Sequence, residues 1–223
     1  MQEVFEVDQE NVRSLSDVMK ALEKAATAHA IDLRIDFPRM LEEYGALWMI
    51  VRSRLCMTRL PENALRVKTW LRKPKSAVSN RDFSLFDGDE EIGWAVQSWV
   101  LADAKQRSIV NMKNIPPLWI LPTVQPERTQ ALKHISLPPM ETVEHRHIAP
   151  QELDLNGHLN NVRYIQHAEK HAPEGALSLD VVFDRECFAG EELTLQAADG
   201  FVCGLKPDGS YSFRAHFYKG EPI

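Results

Sequence analysis

The sequence predicts an α+β protein in which an antiparallel sheet covers a mostly apolar helix, and it predicts this arrangement twice. In each half of the chain, one segment of helical periodicity is followed by short runs in which apolar and polar residues alternate. Between the halves, six of the 13 prolines (Pro116, Pro117, Pro122, Pro126, Pro138 and Pro139) crowd one interval. Proline fixes φ and removes a ladder donor, so that interval is neither central strand nor helix interior. Residues 116–139 are read as a linker joining a first unit, 1–115, to a second, 140–223. With 44% hydrophobic and 26% charged residues, the 223-residue chain suffices for one large core or two smaller ones.

The first unit opens with a short strand near Val4 to Val7. Ser14 then offers a side-chain cap to a helix whose Val18, Ala21, Leu22, Ala25 and Ala28 share one face. A shorter helix is expected over Pro38 to Tyr44. In ALWMIVRSRLCMTR, alternation places Leu47, Met49, Val51, Leu55 and Met57 inward and the arginines mainly outward. ALRVKTWLRKP, AVSNRDFSLF, EIGWAVQSWVLAD and QRSIV continue the meander, and FDGDEEIG between them reads as a hairpin turn.

The second unit repeats the order. A strand from Thr142 to His147 leads through QELDLNGH to a helix near Leu159 to His171. The strands ALSLDVVFDREC, ELTLQAA, GFVCGL and SYSFRAHFY follow, with KPDG as a turn before the last.

Charge and cysteine usage narrow the function. A net charge of −6 argues against nucleic acid as partner. From Arg52 to Arg81, however, the chain carries +8, against −14 elsewhere. This basic stretch is either the solvated outer face of a sheet or a docking surface for an acidic or phosphate-bearing group. Cys56, Cys187 and Cys203 are scattered and lack CxxC spacing, against a disulfide framework or a zinc site. No run approaches the ~20 apolar residues of a membrane span, and MQEVFEVDQE lacks signal-peptide character, so a soluble cytoplasmic protein is expected.

The candidate chemistry lies in QELDLNGHLNNVRY. In an extended chain residues two apart share a face, so Asp154, Asn156 and His158 are expected to converge just before a helix start. Asn160 and Asn161 are candidates for a helix cap or for a site. A calcium loop fails on spacing: Gly157 falls at its fourth position, and Ile165 stands where the twelfth requires glutamate. The histidines of this half show no HExxH pattern. What remains is hydrolysis without a cofactor or metal. An imidazole moves the proton, an acid or amide orients it, and helix-start N–H groups face a developing oxyanion. No GxSxG motif supplies a serine. Glu186 can activate water or hold the imidazole, while Cys187 is either a thiol nucleophile or a small buried hydrophobe.

DLNGHLNNVRYI resembles the D-x-N-x-H-x-N-N-x-x-Y signature of the acyl-acyl carrier protein (acyl-ACP) thioesterases, here of bacterial type, which release free fatty acids in fatty-acid biosynthesis. WMIVRSRLCMTRLPENALRVKTWLRKP, NRDFSLFD and QSWVLADAKQRSIVNMKNIP resemble that family's first-half sheet, and DRECFAGEEL its Glu-Cys segment. The resemblance implies two tandem hotdog units, each a helix wrapped by antiparallel sheet. It implies a catalytic set of Asp154, Asn156, His158 and Glu186, with Cys187 matching a cysteine once proposed as nucleophile. The partner implied is acyl carrier protein with its phosphopantetheine-linked acyl chain, received by Arg72, Lys73, Lys75 and Arg81.

The corresponding entry to the first helix, VDQENVRSL, has no histidine, so one site per chain is expected and the first unit supplies the acyl pocket. The short connection APEG after the second helix departs from the family and leaves that pocket more open. A coenzyme A thioesterase using the same residues and a non-hydrolytic acyl-binding module are the competing readings. Two units in one chain fit a monomer as well as a homodimer.

Overall fold

A computed structural model of the protein describes residues 1–125 and 134–220. The first half contains β1 (Val4–Gln9), α1 (Leu15–Asp32), α2 (Phe37–Tyr44), β2 (Ala46–Met57), β3 (Leu65–Leu71), β4 (Val78–Asp87), β5 (Glu90–Asp103) and the two-residue β6 (Ile109–Val110). The second contains β7 (Glu141–His147), α3 (Asn161–Glu169), β8 (Ser178–Phe183), β9 (Glu192–Ala198), β10 (Phe201–Leu205) and β11 (Tyr211–Tyr218). Among the described residues these strands form one antiparallel sheet, ordered β1-β3-β4-β5-β2-β8-β11-β10-β9-β7, with β6 paired to β5.

The halves join where β2 pairs with β8, from Arg52 opposite Val182 to Cys56 opposite Ser178. At the middle of this seam Arg54 lies opposite Asp180 and binds it in a fork, Nε to Oδ1 at 2.6 Å and Nη2 to Oδ2 at 2.7 Å. Two parallel charge-assisted bonds fix the register of the joint as well as contributing energy.

Helices α1 and α3 lie against the sheet in a common core. Ser14 caps α1 by accepting from Asp17 N–H at 3.1 Å, and Val18, Ala21, Leu22 and Ala25 are fully buried. Ala21, Ala25 and Ala26 let the helix approach Ile165 and Ala168 of α3 in the same cluster as Leu55, Phe83, Val181 and Phe213. The carboxylate of Glu169, at the end of α3, accepts from Leu15 N–H (2.6 Å) and Ser16 N–H (3.2 Å), satisfying α1's first amides from the other half.

Two expectations are corrected here. A bulge between Ile50 and Arg52 inserts Val51 into β2, and the strand's alternation changes phase across it. Leu55 and Met57 are buried as expected, but before the bulge Ala46 and Ile50 are buried while Leu47, Met49 and Val51 are only half-buried. The strand expected across QRSIV shortens to Ile109–Val110, because Asp103–Ser108 form a tight turn closed by Asp103 N–H to Ser108 O at 2.8 Å. In the linker, Pro116–Trp119 form a 3-10 turn, while Pro126 lies outside the described residues.

Candidate active site

Between β7 and α3 the chain makes a 3-10 turn at Pro150–Glu152 and then a second, tighter turn. Asp154, Asn156 and His158 are not on an extended strand. Asp154 N–H donates to His158 O at 2.7 Å, Gly157 N–H donates to Asp154 O at 3.1 Å, and Gly157 sits at φ 78°, where L side chains are strained. The Asp154 carboxylate closes the loop: its Oδ1 accepts from Asn156 N–H at 2.8 Å and His158 N–H at 3.2 Å. The convergence expected from strand alternation is thus produced by an aspartate-centred turn.

Leu159 N–H donates to Cys187 O at 2.8 Å, tying this turn to the loop after β8. That bond sets Glu186 beside His158, with Oε1 3.1 Å from Nδ1. Phe188 meets the imidazole edge-on, with ring centroids 5.0 Å apart. The other carboxylate oxygen of Glu186 receives Arg107, which reaches across from the β5–β6 turn of the first half. With Glu186 accepting from Nδ1–H, Nε2 carries the lone pair; among the described residues it has no hydrogen-bond partner.

These groups border a cavity of about 530 Å³ lined by both halves. Asp154, Asn156, His158, Asn161 and Glu186 line it together, and Met19, Ala26, Trp48, Ile50, Trp99 and Val100 supply apolar wall from the first half. Asn160, by contrast, caps α3, its Oδ1 accepting from Val162 N–H at 2.8 Å. Cys187 is buried away from the cavity: its Sγ lies 3.0 Å from Ser212 Oγ, and its N–H donates to Tyr164 Oη at 3.0 Å. His145, His167 and His171 turn to separate partners, Thr194, Arg146 and Glu144.

The basic stretch divides. Arg81 is no docking residue: its Nη1 donates to Thr69 Oγ1 at 3.1 Å and to His29 Nδ1 at 2.9 Å inside the first half. Arg72 is held by Asp82, Nε to Oδ2 at 2.6 Å. Arg59, Arg66 and Lys68 likewise meet Asp87, Asp89 and Glu6 across neighbouring elements, which a sheet's outer face supplies. Lys73 and Lys75 stand exposed on the β3–β4 loop.

Two cavity residues escaped the sequence. Arg107 is one charge in an ordinary polar turn, and only the long-range fold brings it to Glu186. Glu23 looks like the polar face of a helix, yet it lines the cavity and accepts from Asn160 Nδ2 at 3.1 Å. Desolvation raises its carboxyl pKa, the Asn160 bond opposes this, and nearby Asp154 adds to the rise.

Residues 2–115, half of the chain, match the acyl-ACP thioesterase N-terminal domain. This chain belongs to the acyl-ACP thioesterase family. It is 25% identical to the chloroplastic palmitoyl-acyl carrier protein thioesterase of Cuphea hookeriana over 92% of the chain and 53% of that relative. To a chloroplastic acyl-[acyl-carrier-protein] hydrolase of Cuphea viscosissima it is 23% identical, over 86% and 52%. The chain therefore spans about half the length of the curated relatives it matches.

Among solved structures, an acyl-ACP thioesterase from Bacteroides thetaiotaomicron superposes with a TM-score of 0.83 at 18% identity, covering 96% of this chain and 97% of that one. The 12:0-ACP thioesterase from Umbellularia californica gives 0.76 at 18% identity, covering 97% of each. At such identities the agreement concerns the fold: two tandem hotdog units.

Proposed function

We propose that this acyl-ACP thioesterase family member hydrolyses the thioester of a fatty acyl chain carried on acyl carrier protein, using water activated by His158. The observation that carries the reading is the Glu186–His158 contact, 3.1 Å, at the border of a largely apolar cavity of about 530 Å³. An acyl chain lies along the first-half wall and presents its carbonyl carbon to the water. His158 Nε2 takes a proton from that water as its oxygen bonds to the carbonyl carbon. The Asn156 amide faces the oxygen that becomes negative, because Asn160 already takes the first-turn N–H groups of Val162 and Arg163. Collapse breaks the C–S bond, and the imidazolium returns the proton to the leaving thiolate.

Glu186 keeps Nδ1 protonated and the ring oriented; Arg107 holds that carboxylate from the opposite half. Asp154 maintains the turn rather than touching the reacting atoms. Cys187, buried behind Tyr164 and Ser212, has no part in the chemistry.

The carrier's acidic surface meets Lys73 and Lys75, because the strands flanking their loop contribute Leu71 and Ser79 to the cavity wall. The test is initial rates of free-acid release with acyl groups on acyl carrier protein and on coenzyme A, at low and high salt. Faster turnover on the carrier, lost on Lys73→Ala/Lys75→Ala and screened by salt, is expected. Equal turnover on both carriers, unaffected by the double substitution, favours a coenzyme A thioesterase instead. Cys187→Ser retains most activity where Glu186→Ala does not; the reverse ranking restores the thiol nucleophile.

A further inference from the structure

The cavity wall is not uniformly apolar. On one face of the first-half sheet, β4 and β5 bring Ser79 opposite Trp99 and Arg81 opposite Gln97, and all four line the cavity. Arg81 is only 4% exposed and Gln97 2%. The Arg81 guanidinium donates to two neutral acceptors, His29 Nδ1 and Thr69 Oγ1, and no carboxylate among the described residues pairs with it. Burial lowers its pKa to about 9. Among the described residues, Gln97 Oε1 and Trp99 Nε1 are buried without a hydrogen-bond partner. A buried polar group left unpaired costs the full penalty of its desolvation, so an acceptor and a donor left unpaired two residues apart on one face of β5 mark a place where a ligand gains by supplying both.

This patch is distant from the reacting carbonyl. On α1, Glu23 touches the Asn160 side chain beside the catalytic turn, whereas His29 touches Arg81. Six helical residues separate them, about 9 Å along the axis at the rise of an α-helix. An acyl chain running along α1 therefore reaches the patch several carbons beyond its thioester.

We propose that the cavity selects an acyl chain bearing a hydroxyl group at a carbon remote from the thioester, seated among Arg81, Gln97 and Trp99. The proposal rests on the acyl-thioesterase reading above and specifies its substrate class. A hydroxyl is singled out by its hydrogen-bond inventory: it donates to Gln97 Oε1 while accepting from Trp99 Nε1–H or Arg81. A keto or carboxylate oxygen accepts only, leaving Gln97 Oε1 unpaired. A plain methylene at this position satisfies none of the three.

The test is a set of matched free fatty acids, with and without one hydroxyl or keto group at successive carbons, titrated into the protein by calorimetry. The corresponding carrier thioesters are assayed in parallel for kcat/KM. The expected result is one remote hydroxyl position that binds and turns over at least about tenfold better than the plain chain, with the keto analogue well below it. In Gln97→Leu the two members of that pair bind alike. If that variant fails to fold, Trp99→Phe, which deletes only the indole N–H, reduces the same ratio. Plain chains that bind as tightly as every hydroxylated one, or no binding by any probe, overturn the proposal. A hydroxyl preference in binding with no thioester hydrolysed leaves the subsite standing and sinks the hydrolase reading instead.

Discussion

Replacing Arg107 by methionine tests whether the two halves share one catalytic apparatus. The side chain leaves the first half at the β5–β6 turn and occupies the Glu186 oxygen that does not face His158. Arg107 is 52% exposed and Glu186 24%, so solvent screens the pair and its contribution lies near the upper end for exposed ion pairs, about 1 kcal/mol. If that energy serves to hold Glu186 against His158, Arg107→Met lowers kcat/KM about fivefold with little change in stability. Glu186→Gln, which removes the charge beside the imidazole itself, lowers it by roughly a hundredfold. In the Glu186→Gln background the Arg107 substitution has almost no further effect, because its partner is already neutral. The assay is thiol release from an acyl thioester by all four proteins at low and at high salt, the wild-type advantage over Arg107→Met shrinking with salt. Fully additive effects, or an Arg107→Met rate equal to wild type at both salts, refute a catalytic role for the Arg107–Glu186 contact.

Three further outcomes follow from other contacts. Asp154→Ala removes the acceptor of two backbone N–H groups, loosening the turn by about 1 to 2 kcal/mol; turnover is lost, proteolysis within 153–159 accelerates, and the global denaturation midpoint moves little. Arg54→Met strands the Asp180 carboxylate, 16% exposed, in the seam between the halves and costs about 3 kcal/mol in chemical denaturation. The double replacement Arg54→Met/Asp180→Leu costs less than that, and equal losses would show that pairing is not what matters there. His29 has a folded pKa lowered by burial from 6.5 to about 4, so between those values the unfolded chain binds a proton that the folded chain does not. Its stabilisation is complete above pH 6.5 and is lost as pH falls through that window, by at most roughly 3 kcal/mol, and His29→Gln flattens this limb of a urea-midpoint profile.

What the sequence made legible was what local rules govern. Period-two alternation located the long strands, Ser14 capped its helix, and the QELDLNGH segment drew attention because three polar groups stand in so few residues. The misreadings arose where distant parts of the chain decide. Val51 is apolar and β-branched like its neighbours, so nothing local marks it as the extra residue of a bulge. Arg81 and Arg72 are charged residues in a charged stretch. Their removal from solvent depends on β4 lying between β3 and β5, which places Asp82, Thr69 and, from α1, His29 within reach. The site was half legible for the same reason. Asp154, Asn156 and His158 lie within five residues and Glu186 stood out as a carboxylate at the end of an apolar strand, but Arg107 and Glu23 belong to the other half.

The most direct test of the account is the initial rate of free fatty-acid release from acyl carrier protein thioesters by the wild-type protein and by His158→Ala, with folding of the variant verified by thermal denaturation. The wild type is expected to release free acid, and the variant to lose roughly a hundredfold or more of that rate at unchanged stability. Turnover undiminished by the substitution would contradict it.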